Sequence, residues 1–258
     1  MKEKKNFPFS DRFWSEMKTA ASRILMIDYD GTIAPFQMNR ALAFPYPGII
    51  ELLRKINKLN GNQVAIISGR TLFELKNFIH IKGIHLFGSY GMEEEMQWFQ
   101  ENFRISEEEK TILEQGREKI VNAGIEAHLE EKPYSLAFHV RGVKEGDELI
   151  KTVFQLWRPL VKSGSISITP FNGGVELTAG KTKDFAIKKM LCNAPLNTFA
   201  VYIGDDIPDE PAFKAVNKCG WGIKVGARKN PTSAKLFLKN SQEIISFLKR
   251  WVIEQTEK

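Results

Sequence analysis

Cysteine is scarce: Cys192 and Cys219 are the only two in 258 residues, too few for a disulfide framework and without metal-ligand spacing. Long apolar runs are missing too. Stretches such as Ile24-Leu25-Met26-Ile27 reach only about four residues, against the ~20 that a membrane-spanning helix needs. The charged start, Met1-Lys-Glu-Lys-Lys-Asn-Phe, lacks the ~7–15-residue apolar segment of a secretory signal. No Asn-x-Ser/Thr acceptor occurs, because Asn230-Pro231-Thr232 carries the forbidden proline. These absences predict a soluble, cytoplasmic protein with no membrane partner. An arginine-rich stripe with interleaved aromatics is also lacking, so the net charge of +6 (37 basic against 31 acidic residues) reads as a soluble surface rather than a nucleic-acid footprint. Histidines 80, 85, 128 and 139 have no metal spacing and read as structural, and no Ser/His/Asp or Cys/His arrangement stands out. A monomer is the default expectation.

What remains is a chain with an ordinary core. At 43% hydrophobic residues and roughly 1.7 domains by length, it is one large domain or two modest ones. Short apolar runs bounded by turn residues recur at Ile24–Ile27, Val64–Ile67, Ile84–Phe87, Phe199–Ile203 and Gly222–Val225. Such runs suit strands buried on both faces of a parallel sheet. Ile49, Leu52, Leu53 and Ile56 after Pro47 keep helical spacing, as do Ile244, Phe247, Leu248, Trp251 and Val252 after Asn240 and Glu243. This alternation predicts a doubly wound, mostly parallel α/β sheet. The middle differs. A capping box at Ser106–Glu109 opens a helix to about Asn122, strands follow at Ile125–Glu130 and Ser135–Arg141, then a helix near Glu148–Val161 and strands at Ser165–Thr169 and Gly174–Leu177. Helix–strand–strand twice over predicts an inserted α+β cap over residues 95–177, splitting a catalytic core of 1–94 and 178–258.

The chemistry concentrates where strands end. Asp28-Tyr29-Asp30-Gly31-Thr32 follows the first apolar run, and Gly204-Asp205-Asp206-Ile207-Pro208-Asp209-Glu210 follows another. Open α/β sheets bind ligands at the carboxyl ends of their strands. Carboxylates gathered there repel one another unless a cation lies between them, and hard oxygen ligands suit Mg²⁺. A calcium loop counted from Asp28 fails, since Ile33 and Arg40 occupy the Gly and Glu positions. Ser68-Gly69-Arg70 closes a third run and offers donors to phosphate oxygens. Lys181 and Lys183 precede the helix-like stretch Asp184–Leu191, and either could bring a positive charge to a phosphate. Gly180-Lys181-Thr182 is not a nucleotide phosphate loop, because Val175 stands where the first glycine belongs.

In this order the motifs resemble those of the haloacid dehalogenase (HAD) superfamily of phosphatases. The finer set resembles the trehalose-6-phosphate phosphatase family: Asp28–Pro35, Ile67–Arg70, Glu130-Glu-Lys132, His139-Val-Arg141, Glu176 and Gly204–Phe213. The resemblance implies a HAD-like core with an α/β cap and hydrolysis of a sugar phosphate. Asp28 would be the nucleophile, forming an aspartyl-phosphate, and Asp30 the general acid and base. Mg²⁺ would be held by Asp28, the Asp30 main-chain carbonyl and Asp205, with Asp209, or Asp206, completing or orienting the shell. Ser68 and Lys183 would clamp phosphoryl oxygens. Glu130, Lys132, Glu176, Arg141 and Arg70 would meet the substrate. Three stretches depart from the family: Lys183 precedes Asp184 rather than Gly, leaving Lys181 in competition; Gly88-Ser89-Tyr90-Gly91 replaces Gly-x-His-Gly; and Asn172–Val175 lacks a basic residue. Glucosylglycerol phosphate, sucrose phosphate, a phosphosugar mutase reaction and a catalytically silent sugar-phosphate sensor are the alternatives.

Overall fold

Burial on both faces organises the larger sheet. Its first strands are β1 (Ser22–Ile27), β2 (Asn62–Ile67), β3 (His85–Gly88) and the two-residue β4 (Glu93–Glu94). A separate antiparallel sheet comprises β5 (Leu129–Lys132), β6 (Ser135–His139), β7 (Ile166–Phe171) and β8 (Gly174–Ala179), in the order β5-β6-β8-β7. The chain then returns through β9 (Thr198–Gly204), β10 (Gly220–Val225) and β11 (Leu236–Leu238) to give the seven-stranded order β11-β10-β9-β1-β2-β3-β4. All its pairings are parallel except β3 with β4. This computed structural model describes residues 9–95, 103–161, 164–227 and 231–256. The charged start, Asn230 and the segment just after the expected boundary at 95 lie outside the described residues.

The helices are α1 (Asp11–Thr19), α2 (Ile49–Lys58), α3 (Leu72–Phe78), α4 (Glu107–Asn122), α5 (Gly146–Trp157), α6 (Asp184–Cys192), α7 (Glu210–Val216) and α8 (Ser241–Thr256). Alternation along β1 sends Leu25 and Ile27 into a layer with Phe13, Ile49, Leu53, Phe247 and Trp251 of α1, α2 and α8. Ile24 and Met26 enter the opposite layer, with Ile187 and Met190 of α6 and Phe213 of α7. The sheet is therefore doubly wound. The smaller sheet has its own core, in which Leu113, Ile120, Val153 and Trp157 of α4 and α5 pack on Leu136, Phe138, Val175 and Leu177.

Three expected elements are shorter, and one of them, the strand expected over Ser135–Arg141, ends at His139. The strand expected from Ile125 begins only at Leu129, because Glu126–His128 form a 3-10 turn. The helix expected to reach Val161 ends at Trp157, two residues before Pro159, whose ring cannot continue the backbone ladder. Among the described residues, no helix is long and apolar enough to cross a membrane.

Candidate active site

The strand order places β1 between β9 and β2, so the loops after all three open on one rim. The β1–β9 ladder continues into the first loop, where the Asp28 N–H donates to the Ile203 carbonyl at 2.8 Å. Asp28 is buried, and Asp28, Asp205 and Asp209 each present a carboxylate oxygen within 4.8 Å of the others. Two glycines make this crowding possible. A Cβ on Gly31, whose φ is +79°, would lie 2.2 Å from an Asp205 oxygen, and one on Gly204 would lie 2.4 Å from the Asp209 carboxyl carbon.

Lys183, at the start of α6, is the counter-charge. Its Nζ donates to Asp28 Oδ1 at 2.5 Å and to Asp209 Oδ1 at 2.7 Å, and the residue is buried. Burial opposes the ammonium, but Asp209 and Asp28 more than offset that and raise its pKa. Burial pushes the Asp28 carboxyl up to about 7, with Lys183 opposing and Asp209 and Asp30 adding. Asp205 is raised well above the ordinary range, first by burial and then by Asp28, Asp209 and Asp206. One lysine thus faces three carboxylates, a set of hard oxygen donors short of positive charge.

Asp209 plays a distinct part. Its oxygens accept from Lys183, from the Tyr202 hydroxyl, and from the N–H groups of Asp205 and Asp206 at 2.9 Å each. Four donors hold it as the internal brace of the β9 loop. Asp206 instead turns outward, accepting the Asn172 N–H at 2.5 Å from the β7–β8 hairpin. The Thr32 hydroxyl lies 3.2 Å from Asp205 and 3.5 Å from Asp28.

Arg70 lines the same cavity as Asp28 and Asp205, and its buried guanidinium grips Asp30, with Nε and Nη2 each 2.7 Å from a carboxylate oxygen. Ser68 is buried beside it and accepts the Arg70 N–H at 3.1 Å. Lys181 is exposed and lies 5.8–6.0 Å from the rings of Phe185 and Phe103, apart from the carboxylates. Substituting Lys181→Ala is therefore expected to change turnover less than about twofold, since it removes only an exposed cation–π contact worth ~0.5–1 kcal/mol. Steady-state kinetics check this; a loss matching that of a Lys183 variant would reverse the assignment.

These groups open on a cavity of about 820 Å³ between the two sheets. Its far wall carries Glu130, Lys132, His139, Arg141 and Glu176. Lys132 Nζ bonds Glu176 at 3.0 Å and the Gly69 carbonyl at 3.2 Å, and Glu176 also takes the hydroxyls of Ser135 and Tyr90. Burial would raise the Glu176 carboxyl, but Lys132, Ser135 and Tyr90 reverse that and hold it below its usual range. Burial likewise opposes ionisation of Glu130, yet His139, Lys132 and Arg40 bring its carboxyl down to about 2. Arg141 stacks 4.3 Å over Phe36 and donates to the Asn172 carbonyl. The departing stretch at 88–91 is strained: Ser89 and Tyr90 have φ of 46° and 61°, held by bonds from their N–H groups to the carbonyls of Arg70 and Ser68. Arg40, Thr32, Tyr90 and His139 complete the constellation; the sequence singled out none of them as a site residue, although Thr32 and His139 lie in quoted family motifs and Tyr90 in a departing stretch.

Among solved structures, the C-terminal domain of the Candida albicans trehalose-6-phosphate phosphatase matches with a TM-score of 0.81 at 20% identity, over 95% of this chain and 98% of that one. A HAD subclass IIB sugar phosphatase matches with a TM-score of 0.58 at 15% identity, over 90% and 100%. The fold is that of the HAD superfamily. Residues 26–242 match the family described as Trehalose-phosphatase, and the chain belongs to that family of phosphoric monoester hydrolases. Trehalose-phosphate phosphatase B of Arabidopsis thaliana is 26% identical over 95% of this chain and 71% of its own length. Probable trehalose-phosphate phosphatase 4 of Oryza sativa subsp. japonica is 28% identical over 91% and 67%.

Proposed function

We propose that this chain is a Mg²⁺-dependent phosphatase that hydrolyses trehalose 6-phosphate to trehalose and phosphate through an aspartyl-phosphate on Asp28. The observation that carries the reading is the buried Asp28 carboxylate, bonded at 2.5 Å to Lys183 and facing a cavity lined by polar groups from both sheets. In this reading residues 1–94 and 178–258 form the core and 95–177 a cap. The separate sheet supports that division, with β8 running on to Ala179. Two exposed free cysteines fit the proposed cytoplasmic location.

The donor set fits Mg²⁺, being all oxygen, mutually close and under-compensated by Lys183. Asp28, Asp205 and the Asp30 carbonyl would hold the ion, with Asp209 setting Asp205 through its backbone. When bound, it neutralises charge between nucleophile and phosphate. An Asp28 oxygen attacks phosphorus while the bond to the sugar oxygen breaks and Asp30 gives that oxygen its proton. Water then attacks phosphorus, Asp30 takes its proton, and phosphate leaves with Asp28 restored. Ser68 and Lys183 hold the phosphoryl oxygens. Glu130, Lys132 and Glu176 face the sugar, with Arg141 at the cavity wall.

Phosphate release from a panel of sugar phosphates tests this. Trehalose 6-phosphate is expected to exceed sucrose and glucosylglycerol phosphates at least about tenfold in kcat/KM, and EDTA is expected to stop turnover until Mg²⁺ is restored. Equal rates across the panel would remove the trehalose assignment, and activity persisting in EDTA would remove the cation. Binding without release would mark a silent sensor, a reading motivated by the departing stretches at 88–91 and 172–175. Retention of both Asp28 and Asp30 speaks against that sensor, which has no use for a general acid.

A further inference from the structure

Asp30 presents a difficulty for its own chemistry. Both of its oxygens are engaged by Arg70, so handing a proton to a sugar oxygen requires that grip to be set correctly when the sugar is seated. The link between the two lies in the segment after β1. Tyr29 anchors this segment, its buried hydroxyl donating to the Ala43 carbonyl at 2.7 Å, and Asn39 caps the 3-10 turn Arg40–Leu42 by accepting the Ala41 N–H at 3.0 Å.

We propose that Arg40 is a positioning residue that couples the seat of Glu130, on the sugar-facing wall, to the Arg70–Asp30 pair. The proposal rests on the phosphatase reading above. The Arg40 guanidinium reaches two carboxylates, one on the smaller sheet and one on a helix that follows β2 of the larger sheet. Nη1 donates to Glu130 of β5, and Nη2 lies 3.3 Å from Glu74 of α3. Glu74 in turn lies 3.6 Å from Arg70 Nη1, and the Arg40 main-chain carbonyl accepts from Arg70 Nη2 at 3.1 Å. Arg40 therefore meets Arg70 twice, once through its own backbone and once through a shared carboxylate. Arg70 passes both constraints to Asp30. At the other end Glu130 is shared with His139 at 2.7 Å, so a sugar hydroxyl that draws on Glu130 acts on the same guanidinium. The planar fork meets the two carboxylates through separate nitrogens, Nη1 and Nη2, a geometry that the single nitrogen of a lysine cannot reproduce.

The test uses two substrates of different chemistry in the presence of Mg²⁺. Trehalose 6-phosphate needs both the Glu130 wall and a proton on its leaving oxygen; p-nitrophenyl phosphate has no sugar and expels a stable phenolate unaided. Arg40→Gln is expected to lower kcat/KM on the sugar phosphate by about 10–100-fold, as loss of an orienting partner does, and by at least about tenfold more than on p-nitrophenyl phosphate. Part of the loss is expected in kcat, since Asp30 is affected as well as sugar binding. Arg40→Lys should recover part of it. Glu74→Gln, which retains the capping interaction with Thr71, should lose less than Arg40→Gln and on the same substrate. Equal losses of Arg40→Gln on both substrates would mark a merely structural role and overturn the proposal, as would unchanged kinetics on the sugar phosphate. A wild-type enzyme that cleaves p-nitrophenyl phosphate but no sugar phosphate would instead overturn the sugar-phosphatase reading, and the proposal with it.

Discussion

Replacing Asp28 by Asn is expected to abolish phosphate release, by at least about four orders of magnitude, while the metal-free protein becomes no less stable. The amide keeps the shape of the carboxylate but cannot carry the phosphoryl group. The stability half of the prediction follows from burial. The folded protein raises the Asp28 carboxyl from 3.8 to about 7, so the native state favours its protonated form. A carboxyl raised in this way contributes stability at low pH that is lost as pH climbs through that interval, and above about 7 the loss is complete. The Asp28→Asn variant never develops the charge and escapes this loss. Thermal unfolding in EDTA at pH 5 and pH 8 should show the wild-type Tm falling relative to that of the variant. Mg²⁺ at pH 8 should then raise the wild-type Tm more than the variant's, because it supplies the missing positive charge. Turnover within about tenfold of wild type would remove Asp28 as the nucleophile. A variant markedly less stable in EDTA at pH 8 would show that the carboxylate is a structural asset, contrary to the crowding described here.

What could be read before the fold was known divides by distance along the chain. β1, β2 and β9 were legible because a strand buried on both faces needs a continuous apolar run, and Ile24–Ile27, Val64–Ile67 and Phe199–Ile203 supply it. Asp28 and Asp30 were legible because the loop that presents them is local. β11 was not, since Leu236–Leu238 is too short to show any period. No helix is predicted over α1, although Ser10 caps it and Phe13, Trp14 and Met17 form its buried face. Pairings between distant residues left no trace. Arg70 stands beside a serine suited to phosphate, and nothing nearby reveals that its partner is Asp30, forty positions earlier. Arg40 is a lone arginine in a loop whose partner Glu130 lies ninety positions on. Lys181 and Lys183 are indistinguishable as letters two apart. They separate only because α6 begins at Asp184, with Lys183 facing the carboxylates and Lys181 beside aromatic rings.

That separation makes Lys183 a residue whose loss should cost several kcal/mol in stability. Lys183→Met removes a buried cation and leaves Asp28 and Asp209 without the partner that each touches. Breaking one side of a buried ion pair costs ~3–5 kcal/mol, because the stranded charge remains out of water. In chelated buffer the variant is therefore expected to unfold by about that much more easily in urea, and Mg²⁺ should recover part of the difference. Its phosphatase activity should stay low even when Mg²⁺ restores folding, since the phosphoryl oxygens lose a fixed positive charge. The decisive comparison is the double variant. If Lys183 works by compensating charge, adding Asp28→Asn to Lys183→Met removes one of the stranded carboxylates and should restore ~0.5–3 kcal/mol, the size of coupling expected between groups in direct contact. If Lys183 merely fills space, the two substitutions will add. A Lys183→Met protein as stable as wild type in EDTA, or a double variant no more stable than that single one, would mean that the three carboxylates tolerate one another without a cation, and the case for a metal between them would lose its physical basis.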